Sequence, residues 1–205
     1  MKKGAMFGLD ARIALAILGA ISVISGASLY SAIQSTKTEQ SRQNLEELNK
    51  SVIQYYLDHN KRLVLNNTGS GYYEIGNLVE NLYNSNLWKG PYIEYNKGSD
   101  SLSLNASNII GFSTDINRYM QLIKGKSSTW NTSPSCSNFN DCGQWFLIRS
   151  STANETSRNE AYAKYKSLDD LVDNNDGELA GKVRWREPIL NNYYLYYKGP
   201  LEYYN

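Results

Sequence analysis

The chain has few of the side chains on which nucleophilic and metal-dependent catalysis depends. Its 205 residues include one histidine, His59, and two cysteines, Cys136 and Cys142. A Ser-His-Asp or Cys-His arrangement would have to pass through His59, and a zinc site would run short of ligands. Carboxylate or lysine chemistry stays open, although no spacing calls for it. A dominant charge is also missing. Twenty-one basic residues against 20 acidic ones leave a formal net charge of +1, which lends no support to a nucleic-acid-binding surface. There are four prolines, the first at Pro91, so no proline interrupts a helix upstream of it. Long apolar runs are absent beyond residue 35. What remains there is polar and rich in Asn, Ser and Tyr. The 17 tyrosines far outnumber the 4 phenylalanines. Tyrosine buries its ring and keeps its hydroxyl wet, which suits subunit interfaces and a thin sandwich core alike.

The apolar character is concentrated before residue 35. Lys2 and Lys3 precede a stretch from Ile13 to about Ile33, roughly 20 residues and long enough to span a bilayer as a helix. Its serines (Ser22, Ser25, Ser28, Ser31) can bond back to the helix backbone. The positive-inside rule keeps Lys2, Lys3 and Arg12 in the cytoplasm and sends the remainder outside. A cleaved secretory signal is one competing reading, but its apolar core is usually shorter, about 7–15 residues. A plain signal anchor and a buried core helix are the others.

Met6 to Arg12 reads Met-Phe-Gly-Leu-Asp-Ala-Arg and leads into Ile-Ala-Leu-Ala-Ile-Leu-Gly-Ala. This resembles the class III leader and N-terminal helix of type IV pilins and pseudopilins. The resemblance implies cleavage by a prepilin peptidase before the apolar run. It also implies N-methylation of the new first residue and a carboxylate at the fifth mature position. Counting back from Asp10 puts the cut between Ala5 and Met6. The family usually has Gly before the cut and Glu at position five, where this chain has Ala5 and Asp10. Cutting after Gly4 or Gly8 would put Leu9 or Ile13 at the fifth position and lose the carboxylate. An ionised group beside a membrane core costs about 2.5–3.5 kcal/mol on insertion scales. The resemblance supplies its partner: the charged N-terminus of a neighbouring subunit, in a pairing that sets the register between helices. The alternative for Asp10 is to N-cap a helix that starts at Ala11.

Beyond Ser35 the sequence turns polar but stays helical. Leu45, Leu48, Val52 and Tyr56 recur at three- and four-residue spacing and predict one apolar stripe. A helix from about Asp10 to Asn60 would measure ~75 Å at 1.5 Å per residue. Its first half is expected in lipid or a filament core, and its second half against a head domain. Gly19 and Gly26 allow close packing or local melting in the first half.

In the head, Asn66 to Gly71 reads as a loop and Ile75 to Ser85 as a short helix. Leu87 to Tyr95 reads as a sharp Trp-Lys-Gly-Pro-Tyr turn entering a strand, similar to the connector of several pilins. Leu102 to Leu104 alternates like a strand, and Asp115 to Lys124 reads as a short helix. Gln144–Ser150, Lys182–Arg186 and Tyr193–Tyr197 read as strands, while Tyr162–Val172 is mixed with a helical end. Tyr197 to Asn205 echoes the Trp88 turn and predicts a second turn-to-strand unit. The pattern predicts an antiparallel sheet laid on the second half of the long helix. In an exported domain, Cys136 and Cys142 are expected to pair, which closes a loop worth roughly 2.4 kcal/mol in the chain-entropy model. Asp169, Asp170, Asp173, Asp176 and Glu178 crowd around an Asn-Asn-Asp-Gly segment. Asp173, Asp176 and Glu178 are the calcium candidates, but the EF-hand spacing fails and a helix end followed by a turn accounts for the residues.

The expected fold is α+β and pilin-like: a long N-terminal helix, transmembrane in its first half, packed on an antiparallel sheet. Residues 1–5 are the leader and residues 6–60 the helix, transmembrane over about 11–33. Residues 61–205 are the exported head. The expected function is a non-enzymatic filament subunit of a type IV pilus or a type II secretion apparatus, with no cofactor. Its partners would be other pilin-like subunits, the prepilin peptidase, an inner-membrane assembly platform and the bilayer. The competing reading is a signal-anchored domain that binds a ligand or wall component, for which exposed Trp88, Trp130, Trp145 or Trp185 would speak. A third is an anchored hydrolase with two carboxylates converging in a cleft.

Overall fold

The computed structural model describes residues 6–66, 71–98, 100–106, 109–111, 117–128, 130, 136, 141–151, 154–189 and 192–202. The chain forms two compact units, Met1–Lys37 and Thr38–Asn205. The fold is α+β, with a long N-terminal helix and an antiparallel sheet.

The first unit is the opening part of helix α1, Met6–His59. An 18-residue window of it has a mean hydropathy of 2.0 and none of that window is buried. The helix absorbs its own polar side chains. Ser22 Oγ donates to the Leu18 carbonyl at 2.8 Å, Ser35 Oγ to Ser31 at 3.1 Å and Thr36 Oγ1 to Ala32 at 2.9 Å. The expected back-bonding is therefore observed at Ser22.

In the second unit α1 carries a buried stripe. Ser41, Leu45, Leu48, Val52 and Tyr55 are all buried, at alternating spacings of four and three, which keeps them on one helix face. Tyr55 takes the inward place that the sequence pattern assigns to Tyr56, because the stripe follows a 3.5-residue period. The flanking face is charged. Arg42 bonds Glu39 at 2.5 Å and also pairs with Glu46.

Among the described residues the sheet has six strands: β1 (Tyr72–Tyr73), β2 (Leu104–Asn105), β3 (Asn117–Lys126), β4 (Cys142–Ser151), β5 (Val183–Ile189) and β6 (Asn192–Glu202). Their order is β1-β3-β4-β6-β5, with β2 also on β3, and every pairing is antiparallel. Helix α2 (Glu155–Asp173) joins β4 to β5. Its start is capped by Asn154, whose side chain accepts from the Thr156 N–H at 2.9 Å.

Strand β4 is buried on both faces. Phe146 and Ile148 join one cluster with Leu45, Leu48 and Val52 of α1, Met120 and Leu122 of β3, and Ala161, Tyr165 and Leu168 of α2. The alternate residues Trp145 and Leu147 join Ile123, Trp130 and Tyr196 in a second cluster. Both helices thus cover one face of the sheet, and an aromatic cap covers the other. The tyrosines of β6 serve both faces: Tyr193 and Tyr197 in the first cluster, Tyr196 in the second. Cys136 and Cys142 form the expected disulfide, with Cα atoms 5.6 Å apart, at the start of β4.

Several local expectations are corrected. Asp115–Lys124 is not a short helix, since its described part belongs to strand β3 and pairs in continuous register from Asn117↔Ser151 to Lys126↔Cys142. Met120 and Ile123 sit at helical spacing, but they enter opposite clusters. Ile75–Ser85 is a single 3-10 turn, Ile75–Leu78, followed by irregular chain. The Trp88 turn contains a cis Gly90–Pro91 bond and does not enter a strand. The mixed segment is helical throughout α2. The echo at Tyr197–Pro200 is no turn, because β6 runs straight through it. Its glycine has a different task. A Cβ on Gly199 would lie 2.8 Å from Gln144 Cβ and 2.9 Å from its carbonyl oxygen, where the β4–β6 register shifts between Gly143 and Trp145.

Candidate functional site

Two features of the sequence call for a functional reading: the apolar half of α1 and the acidic end of α2. In the first, α1 is already helical at Met6. Asp10 therefore lies one turn inside the helix, exposed, and is not the N-cap of a helix starting at Ala11. Ala5 lies outside the described residues. Downstream, Leu15, Leu18, Val23, Ile24 and Leu29 are each between 62% and 74% exposed. Ile13, Ile17 and Ile21 are more than half exposed as well. Covering these eight side chains with apolar material gains on the order of 10 kcal/mol at 1.5–3 kcal/mol each. The segment is long and apolar enough to be a single membrane span or a signal anchor. Gly19 and Gly26 leave open space where a Cβ would stand.

The tryptophans do not form an exposed binding surface. Trp130, Trp145 and Trp185 are 5% exposed or less. Trp88 is partly buried, packs against the main core and donates from Nε1 to the Asn77 carbonyl at 2.7 Å. Its ring meets Tyr92 edge-on at 5.9 Å, and Tyr92 meets Tyr55 of α1 at 5.7 Å. The Trp-Lys-Gly-Pro-Tyr turn therefore braces the end of α1.

No family model, curated protein or solved structure matches this chain.

The acidic end of α2 is more ordered than a plain turn requires. The buried face of α2 runs through Ser157, Ala161, Tyr165 and Leu168 and ends on Asp169, which has no exposed surface. Asp173 lies one turn further on. Asn174 and Asn175 then adopt left-handed backbone (φ 56° and 59°) and turn the chain back. Carboxylate oxygens of Asp169, Asp173 and Asp176 come within 4.8 Å of one another. Glu178, the third calcium candidate, is exposed and is not part of this group. Sequence spacing holds a signal for Asp169 in its i,i+4 relation to Asp173, but its burial comes from the sheet. Burial, and then the charges of Asp176 and Asp173, push the Asp169 carboxyl up to about 6, against the pull of the Gly177 N–H.

A cavity of about 440 Å³ lies elsewhere, lined by residues including Lys97, Asp100, Ser103, Tyr119 and Gln121. Its one carboxylate among the described residues, Asp100, accepts from Ser103 Oγ at 2.7 Å and from the Leu102 N–H at 3.1 Å. It therefore does not present the two converging acids a glycosidase-like site needs.

Proposed function

We propose that this chain is a membrane-anchored, type IV pilin-like subunit that polymerises through the first half of α1 and carries an exported α+β head. The observation that carries the reading is the change of surroundings along one helix. The apolar side chains from Ile13 to Leu29 are exposed, whereas Leu45, Leu48 and Val52 are 1% exposed or less. A helix with this division serves two media at once: apolar neighbours or lipid for the first half, a protein core for the second. Asp10 inside the helix supports an assembly role, since a cap would sit at the end. The Cys136–Cys142 disulfide supports a head in an oxidising compartment, which fits a single pass with the C-terminal part outside. On this reading the chain performs no chemistry. Its partners are further pilin-like subunits, a prepilin peptidase and an inner-membrane platform, in a pilus or a secretion filament.

The competing reading is a signal-anchored binding domain, and it loses its main support with the burial of Trp130, Trp145 and Trp185. The deciding experiment is the intact mass of the membrane-extracted protein made with and without a prepilin peptidase. Loss of residues 1–5 with gain of one methyl group is the expected result. A mass that starts at Met1 in both samples would leave only the plain anchor.

A further inference from the structure

The cavity beside Tyr119 lies where β2 pairs with β3, on the sheet face away from the helices. We infer that it is a binding site for a neutral sugar, a ring or two of an uncharged glycan. The inference holds whether or not the chain polymerises through α1.

Strand alternation builds the site. Leu104 of β2 and Met120 and Leu122 of β3 enter the core under the helices, which turns Asn105, Tyr119 and Gln121 to the opposite face. Asn105 stands directly across from Tyr119 in the register, so the two share that face. The chain before β2 forms the outer wall. It folds back on itself, with the Gly98 N–H donating to the Ser103 carbonyl at 2.8 Å and the Asn105 N–H to the Asn96 carbonyl at 2.9 Å. The enclosed volume of about 440 Å³ falls within the range of small-molecule sites.

The side chains are held, yet keep bonding capacity unused. Asp100 Oδ1 takes both of that carboxylate's hydrogen bonds, from Ser103 Oγ at 2.7 Å and the Leu102 N–H at 3.1 Å. Those bonds fix the carboxylate and leave Oδ2 open. Gln121 lines the cavity, and no described residue bonds its side-chain amide, which has two donors and an acceptor to offer. Tyr119 lines the cavity too. Its hydroxyl accepts from Arg149 Nη1, and Arg149 Nε donates to Asn192 Oδ1 at 3.0 Å. The phenol is thereby anchored, and what Tyr119 offers a ligand is its ring.

This set of groups selects the ligand class. A lone carboxylate, an open amide and a fixed aromatic ring suit a molecule with many hydroxyls and a C–H face. The hydroxyls bond the carboxylate and the amide in both directions, and polarised C–H groups rest on the negative face of the ring. An anion is disfavoured. Lys97, the cation at the rim, is paired with Glu80, and Asp100 repels negative charge. A lipid tail would strand the polar groups of Asp100 and Gln121 against hydrocarbon. Lys97 and Asp100 are exposed, so a sugar at the end of a longer glycan can enter from solvent.

The test is saturation-transfer NMR on the full-length chain in a zwitterionic detergent free of sugar. The probes are lactose, maltose, cellobiose and N,N′-diacetylchitobiose, with sialyllactose and an acetylated tetrapeptide panel as comparisons. At least one neutral disaccharide should bind saturably at millimolar concentration or below. Gln121→Ala and Asp100→Asn should each keep the fold by circular dichroism and weaken that disaccharide at least about fivefold, the worth of one hydrogen bond. Asp100→Asn keeps an oxygen for the Ser103 bond and places an amide where the open oxygen stood. No saturable binding by any of the four disaccharides would overturn the inference, as would unchanged affinity in both variants. Sialyllactose bound more tightly than lactose, or peptides bound where no sugar is, would assign the cavity to another class and overturn it as well.

Discussion

The guanidinium carbon of Arg184 lies 4.4 Å from the ring centroid of Trp145, on the sheet face away from the helices. Trp130 stands 4.8 Å from the same carbon. The cation is thus held by two rings and by the backbone carbonyls of Gly181, Ser128 and Ser127, and burial draws its pKa down to about 10. Arg184→Met keeps much of the volume but orphans those carbonyls. We expect a loss of roughly 3 kcal/mol or more in urea unfolding followed by tryptophan fluorescence. Arg184→Lys should recover less than half, because an ammonium cannot reproduce the planar fork. Full recovery by lysine would show that charge alone matters there.

The two halves of α1 should respond differently to the same substitution. Leu48→Ala removes a fully buried side chain and should cost about 2–5 kcal/mol of head stability. Leu18→Ala, at a side chain 62% exposed, should change it by less than about 0.5 kcal/mol. Both values come from denaturant unfolding of the full chain in detergent.

Asp10→Ala addresses assembly. The near-ultraviolet circular dichroism of the head should be unchanged, while the fraction of subunit recovered in sedimented filaments should fall to background. Normal recovery would remove Asp10 from any role in register.

Asp169 gives a pH dependence of stability. Its folded pKa, about 6, lies above the ordinary 3.8, so the folded chain binds this proton more tightly than the unfolded chain. The contribution is complete below the ordinary value and is lost as pH rises through about 6. Stability should fall by roughly 2–3 kcal/mol between about pH 4 and pH 7 from this group. Asp169→Asn should flatten that portion of the profile in urea titrations at stepped pH. An identical profile in the variant would show that the carboxyl is not proton-linked to folding.

The legible parts of the fold were those with one-sided patterning. The stripe at Leu45, Leu48 and Val52 stands out because the face flanking it, with Glu39, Arg42 and Glu46, is charged. Strand β3 was misread for the opposite reason. Leu122 and Ile123 are buried in opposite clusters, which breaks the alternation, and Met120 with Ile123 mimics a helix turn. The Lys-Gly-Pro echo misled because Gly serves two purposes. Gly90 fits a tight turn between Trp88 and Tyr92, and Gly199 permits close strand approach at Gln144. In the acidic cluster, Asp173 and Asp176 lie beside the buried Asp169, and Glu178 stands outside the group. Burial against a distant sheet leaves no mark in local spacing.

The sequence by itself determined the long helix, its apolar first half and the pairing of two close cysteines. Each follows from residues adjacent in the chain, where backbone geometry and hydropathy act directly. The tertiary structure alone decided which residues of the sheet face the helices and that Arg184 rests between Trp130 and Trp145. It also decided that Asp169 meets Asp173 and Asp176 around a glycine at position 181. Those outcomes depend on which side of a strand, or which end of a helix, is covered by chain arriving from elsewhere. No local pattern encodes that covering.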